Sequence, residues 1–266
     1  MLKNIVIIGA VLILIAAAGV TYAFLKPTAE ASAPISAVPL AQNTATTVPT
    51  IQIAEATLTA APTSPAATEP ADVPTGTAQL AAPVTGTGPR TFQIDPAQSE
   101  ARFLINEVLN GQPKTVIGVT NQVSGQIAVD PAAPASTTIG VIQVNARTLT
   151  TDSEFRNRAV KNRILLTNEH EFISFTPTQI TGMPDSAQVG DTLTFQVAGD
   201  LTIIGVTRPV TFDVQVQAVS EDQISGTAQG TVLYKDFGIQ IPQVQSVTGV
   251  EDQVRLEIDF VANALP

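Results

Sequence analysis

The chain has 266 residues and no cysteine, which excludes disulfides, thiol catalysis, cysteine-ligated metals and a lipidated cysteine anchor. Its 23 acidic side chains outnumber 13 basic ones, for a formal charge of −10. With that balance and no dense basic stripe, nucleic acid is excluded as a partner.

Residues 2–26 are almost wholly apolar, with Lys3 near their start and Lys26 at their end. Ile5 to Leu25 would make a helix of about 31 Å, enough to cross a bilayer. The competing reading is a cleaved signal peptide, with Thr21 and Ala23 in the −3 and −1 places. The apolar run is longer than a usual signal core and continues past that site, which favours an uncleaved transmembrane anchor. Either way residues 27–266 are exported: a single-pass cell-membrane protein with its domain in the periplasmic or extracellular space, or a secreted one if the N-terminus is removed.

Residues 27–89 contain no aromatic residue, no Lys and no Arg, and are mostly Ala, Thr and Pro. Such a segment buries too little apolar surface to offset its ordering entropy, so it reads as a disordered linker. As a flexible stalk, bare or O-glycosylated, it would span roughly 40–50 Å. Residues 90–266 hold nine of the ten Phe and read as one folded domain.

That domain is predicted to be strand after strand. Thr91–Ile94 stops at Asp95-Pro96. Ala101, Phe103 and Ile105 alternate with polar or outward positions, and so do Val123, Gly125, Ile127 and Val129. Thr137–Leu149, Phe172–Thr181, Asp191–Ile203, Pro209–Val219, Gln223–Tyr234 and Gln253–Ala262 follow. The alternation is clearest around Gly199–Val210, where two period-2 runs fold back at a tight turn. Long antiparallel strands with one apolar face predict an all-β fold, an eight-stranded antiparallel barrel that removes exposed edges. One helix interrupts it. Thr151 and Glu154 stand at capping-box spacing, and Arg156, Arg158, Lys161 and Arg163 follow. These four cations are either the solvated face of a packed helix or a positive rim beside an opening.

Little in the chain suggests catalysis. The single histidine, His170, lies between Glu169 and Glu171, and three adjacent residues of a strand cannot face one point. No metal cluster, phosphate loop or nucleophile elbow is evident, so no catalytic or metal-binding residue is assigned and the chain is not read as an enzyme.

The order of several short motifs resembles the YceI-like lipid/polyisoprenoid-binding family over about residues 91–264. Phe92-Gln93-Ile94-Asp95-Pro96 with Ser99 is similar to the family's opening. Gly118, Gly125, Ile127 and Asp130 match its next pair of strands, and Thr150–Leu165 sits at its helix. Gly199-x-Leu201-Thr202-Ile203-x-Gly205-Val206-Thr207-Arg208-Pro209-Val210 is the most specific match, and Asp236-Phe237-Gly238 resembles a family turn. There are departures: Phe92 stands for Trp, Gln98 for His, Tyr234 for Arg, and His170-Glu171 for Tyr-Pro.

The resemblance implies an extended lipocalin-like barrel with a helix at one side and an apolar tunnel for a polyisoprenoid or other lipid, with no further cofactor. Together with the alternating faces it points to Phe103, Ile127, Phe175, Phe195, Leu201, Phe212 and Phe260 as tunnel lining. Arg156 and Arg163 are the candidate head-group contacts. The other reading is a ligand-free extracellular interaction module on the same barrel. Small residues at Gly125, Gly199, Gly226, Ala228 and Gly230 favour a tunnel modestly. The expected partners are thus a lipid ligand and the membrane, with a homodimer as an open option.

Overall fold

A computed structural model describes residues 27–32, 34–40 and 88–266. The expected transmembrane helix within residues 1–26, and residues 41–87 of the expected linker, lie outside the described residues. The described strands, in chain order, are β1 (Arg90–Ile94), β2 (Glu100–Leu109), β3 (Gln112–Thr120), β4 (Val123–Ser124), β5 (Gln126–Val129), β6 (Thr138–Ile139) and β7 (Ile142–Asn145), then β8 (Phe172–Thr181), β9 (Thr192–Ile203), β10 (Val206–Ser220), β11 (Gln223–Leu233), β12 (Val247–Thr248) and β13 (Gln253–Ala264). They form one sheet, antiparallel throughout its pairings.

Eight regular barrel strands do not describe this sheet, although the all-β character with one helix stands among the described residues. The path runs β4-β7-β8-β9-β10-β11-β13-β1-β5-β6, and β2 and β3 leave it from β13. β4 and β5 are two halves of one bent segment, so the sheet curls until both ends of the path come to Gly125. A Cβ at Gly125 would lie 2.4 Å from Ile142 Cδ1, and this close approach is what the bend requires. At the other level β3 is tied across the gap by an isolated bridge, Val119 to Thr150. The result is a curled sheet, a half-barrel open at one level.

The hairpins explain the motifs. Ile203 pairs with Val206 across a two-residue turn, where Ile204 and Gly205 have φ of 45° and 75°, values that match the right-handed twist of the flanking strands. Arg208, just past that turn, donates from Nε to the Asp236 carbonyl at 2.9 Å, joining the Gly199–Val210 stretch to Asp236-Phe237-Gly238. Phe237 is only 1% exposed, and Gly238 follows it in the left-handed region. At the domain's start, Asp95 accepts from the Ala97 amide and from Gln98, while the Ser99 hydroxyl accepts from the Val261 amide at 3.1 Å.

β3 is absent from the alternation reading because its first residues, Gln112-Pro113-Lys114-Thr115, carry no apolar period. Its signal was Asn110-Gly111, both at positive φ between paired Leu109 and Gln112, the strongest short hairpin pattern. The helix cap also differs from expectation. α1 (Glu154–Ala159) is capped by Ser153, whose Oγ accepts from the Arg156 amide. Thr151 is engaged instead by Asn157, whose Oδ1 accepts from its amide and hydroxyl at 2.6 and 2.8 Å. α1 then widens into a π-helical turn, Val160–Ile164.

Residues 27–40 begin the stretch read as a linker, and those described lie on the domain. The Ala29 amide donates to Asn168 Oδ1 at 2.8 Å. Ser32 donates to both oxygens of Glu171, and the Leu40 amide to Gln126 Oε1 at 2.8 Å. Ile35 is 8% exposed. An apolar side chain at Ile35 and a donor at Ser32 offset the ordering entropy that composition alone assigns to the whole segment.

Candidate functional site

The interior is filled unevenly. At the closed level Phe92, Ile94, Val123, Ile127, Ile224, Phe260 and Ala262 make one buried cluster. A second, Phe195, Val197, Phe212 and Val214, lies alongside. A third, centred on Leu201, Ile203, Val232, Phe237 and Ile239, reaches the helix through Ile164 and Leu165. One cavity distinguishes them: it is lined by much of the third cluster and by none of the first.

The cavity, of about 670 Å³, lies between α1, the open level of the sheet and the segment 239–250. β2 contributes Phe103, Ile105 and Leu109; β3 gives Val116; β8 gives Ile173; β9 gives Ile203. β11 adds Val232, β13 adds Val254 and Leu256, and Ile239, Ile241, Val244, Val247 and Val250 close the remaining wall. The volume lies within the range of small-molecule pockets, which are predominantly apolar with few polar groups.

The polar groups are concentrated on one side. Glu107, Lys114, Asp152, Ser153 and Arg156 border the cavity there, and Tyr234 and Ser246 elsewhere. Arg156 Nη2 donates to Glu107 Oε1 at 2.7 Å, and Nη1 to Asp152. Lys114 also pairs with Asp152, whose carboxyl is held below its ordinary value by the Lys114 hydrogen bond and the Arg156 charge, against the cost of burial. Two cations therefore face two carboxylates, and the set is neutral.

Of the expected tunnel residues, Phe103 lines the cavity. Ile127, Phe195, Leu201, Phe212 and Phe260 are buried in the packed clusters, and Phe175 packs against two of them. Rings account for three of the glycines that the sequence offered as empty space, Gly199, Gly226 and Gly230, and for Gly118 as well. A Cβ at Gly118 would meet Phe103 at 2.1 Å, at Gly199 Phe175 at 2.6 Å, at Gly226 Phe260 at 2.8 Å and at Gly230 Phe212 at 2.9 Å. Each glycine thus makes room for a phenylalanine ring from a neighbouring strand, the pairing that fills a curled sheet with large side chains. The two candidate head-group residues separate: Arg156 lines the cavity, whereas Arg163 is half-buried outside its lining.

The strand alternation did not reach the segment 239–250, which supplies seven of the lining residues. Ile239, Ile241, Val244 and Val247 carry an apolar signal, but prolines and turns break any period. His170 sits against the Gly205 turn, and Glu171 is taken by Arg147, Asn145 and Ser32. Among the described residues no group of three His, Cys, Asp or Glu side chains could hold a metal ion.

A curled antiparallel sheet with one helix over an apolar cavity defines a lipocalin-like class. Residues 92–262 match the model of the YceI-like domain, and the chain belongs to that family. It is 27% identical over 184 residues to a UPF0312 protein of Staphylococcus aureus strain N315, covering 65% of this chain and 95% of that one. Over 140 residues it is 26% identical to a UPF0312 protein of Vibrio cholerae, covering 50% and 70%. Among solved structures, a polyisoprenoid binding domain from Saccharophagus degradans superposes with a TM-score of 0.51 at 15% identity, over 65% of this chain and 98% of that chain. BcnA of Burkholderia cenocepacia does so with a TM-score of 0.50 at 20% identity, over 64% and 99%. Both structures share the fold.

Proposed function

We propose that this protein is an exported, membrane-tethered carrier that holds a polyisoprenoid or related lipid in the cavity beneath α1. The observation that carries the proposal is the cavity itself: about 670 Å³ walled mainly by aliphatic side chains, with one polar corner. Support comes from the YceI-like family and from the polyisoprenoid binding domain with which the fold superposes. Each five-carbon isoprene unit buried would gain about 3–4 kcal/mol relative to water. Most of that is cancelled when the lipid leaves a membrane, so loading is reversible. The chain acts by binding rather than by catalysis, and export and tethering follow from the apolar run Ile5–Leu25.

The polar corner selects among head groups. Arg156 is already satisfied by Glu107 and Asp152, and Glu107 is 8% exposed. A phosphate would bring further negative charge beside a buried carboxylate, which costs free energy unless that carboxylate is protonated or displaced. A neutral head with acceptors and donors can instead exchange hydrogen bonds with Ser153 and the outer faces of the ion pairs. Titrating the purified chain with a polyprenol, a prenyl phosphate and an isoprenoid quinone at low and high salt tests this. Tight, salt-insensitive binding of the neutral ligands is expected; a preference for the phosphate that salt abolishes would reverse the head-group assignment, and no binding of any would end the carrier reading.

A further inference from the structure

The N-terminal segment fixes which end of the domain meets the membrane. Ala29 and Glu30 are bound at the cavity end: Asn168, partner of the Ala29 amide, lies between the cavity-lining Leu165 and Ile173, and Arg147 donates to the Glu30 carbonyl at 3.2 Å. The segment then runs away from the cavity. Ser32 is still at that end, held by Glu171 two residues before Ile173, but the Ile35 amide is held by Gln122, the Ser36 carbonyl by Ser124 and the Leu40 amide by Gln126. Gln122–Gln126 flank the packed cluster that takes no part in the cavity lining.

Two consequences follow from chain length. From Leu25 to Ala29 there are four residues, which extend at most about 14 Å. The other end of residues 41–87 is fixed as well: Leu40 is bonded to Gln126, and Arg90 pairs with Val129 only three residues along, about 10 Å in a strand. Leu40 and Arg90 thus lie near one another at the end of the domain away from the cavity, so the chain between them adds no length between Leu25 and Ala29. Resting on the reading of Ile5–Leu25 as a membrane span and of the cavity as the lipid site, we propose that the cavity mouth is held directly against the bilayer surface. The exposed apolar side chains there suit that partner. Phe155 lines the cavity yet is 59% exposed, so the cavity reaches the surface at this point, and Leu166 and Phe172 are 36% and 37% exposed beside Leu165 and Ile173. Arg158, also exposed on α1, suits anionic head groups at the same surface.

The chain contains no cysteine, so single cysteines report cleanly. Phe155→Cys and Leu166→Cys mark the mouth. Val219→Cys marks the opposite end, thirteen residues along β10 from Val206 and about 43 Å away. Each full-length variant is labelled with bimane and reconstituted into phosphatidylcholine–phosphatidylglycerol vesicles carrying a head-group spin label. Quenching several-fold greater at 155 and 166 than at 219 is expected. It should persist when residues 41–86 are replaced by ten Gly and Ser residues. Equal quenching at the two ends, stronger quenching at 219, or loss of the difference on shortening would overturn the orientation while leaving tether and cavity intact. Release of the full chain from the vesicles by carbonate would instead refute the tether, and the orientation with it.

Discussion

Arg156 reaches from α1 to Glu107 on β2, Nη2 to Oε1 at 2.7 Å, and closes the polar side of an otherwise aliphatic cavity. This ion pair fixes the helix against the sheet and also cancels the charge that a positive rim would offer to a phosphate. Both roles can be separated by changing the acid alone.

Glu107→Gln keeps the shape of the site but leaves the cavity's polar set one unit more positive. Loss of a charged acceptor at a mostly buried position should cost about 1–3 kcal/mol, lowering the melting temperature by roughly 3–10 °C. The variant should also bind a prenyl phosphate at least tenfold better relative to a polyprenol than the parent does, in a salt-dependent way. Calorimetric titration at two ionic strengths reads this ratio; an unchanged ratio would mean that Arg156 does not face the head group.

The glycine–phenylalanine pairs predict two different outcomes from the same substitution. At Gly118 the obstacle to a Cβ is the Phe103 ring, which borders the cavity and has room to swing into it. Gly118→Ala should therefore cost little stability and reduce ligand binding. At Gly226 the obstacle is the Gln215 backbone carbonyl, 2.4 Å from a Cβ, and backbone cannot yield so cheaply. Gly226→Ala should destabilise by about 1–3 kcal/mol with ligand preference unchanged. Thermal melts beside ligand titrations distinguish the two.

How much of this was legible in sequence varies with the physics involved. Period-2 alternation located the long strands closely; Phe172–Thr181 matches β8 residue for residue. The same alternation shows which residues face inward but not what opposes them. Phe195, Phe212 and Phe260 do face inward, yet each meets packed side chains, because whether an inward face borders space depends on partners far away in sequence. The cavity wall from Ile239 to Val250 has no period to read. The binding of residues 27–40 was hidden too, since it depends on isolated side chains such as Ser32 and Ile35 in a stretch whose composition is otherwise that of a linker.

Glu171 makes the attachment of that segment pH-dependent. Burial would raise its carboxyl, but hydrogen bonds from Ser32 and Asn145 and the charge of Arg147 outweigh this and hold it below its ordinary value of 4.5. A carboxyl with a lowered folded-state value stabilises the bound form fully above about pH 5, and that stabilisation fades as pH falls through the lowered value. Relative to the intrinsic exchange rate at each pH, the amides of Ala29, Ser32, Ile35 and Leu40 should be well protected at neutral pH and lose that protection below about pH 4, before the sheet itself opens. Glu171→Gln should lack that protection at every pH; protection in the variant would mean that the segment is held without Glu171.

The central claim is that the cavity holds an isoprenoid chain, and it is tested most directly by organic extraction and mass spectrometry of the full-length protein purified from the cells that make it. A paired variant, Val232→Phe with Leu256→Phe, fills the cavity from two neighbouring strands while keeping the apolar character of the core. The account predicts a polyisoprenoid lipid at about one molecule per chain in the parent and at most a tenth of that in the filled variant. A parent that yields no such lipid, or a filled variant that yields as much as the parent, would contradict it.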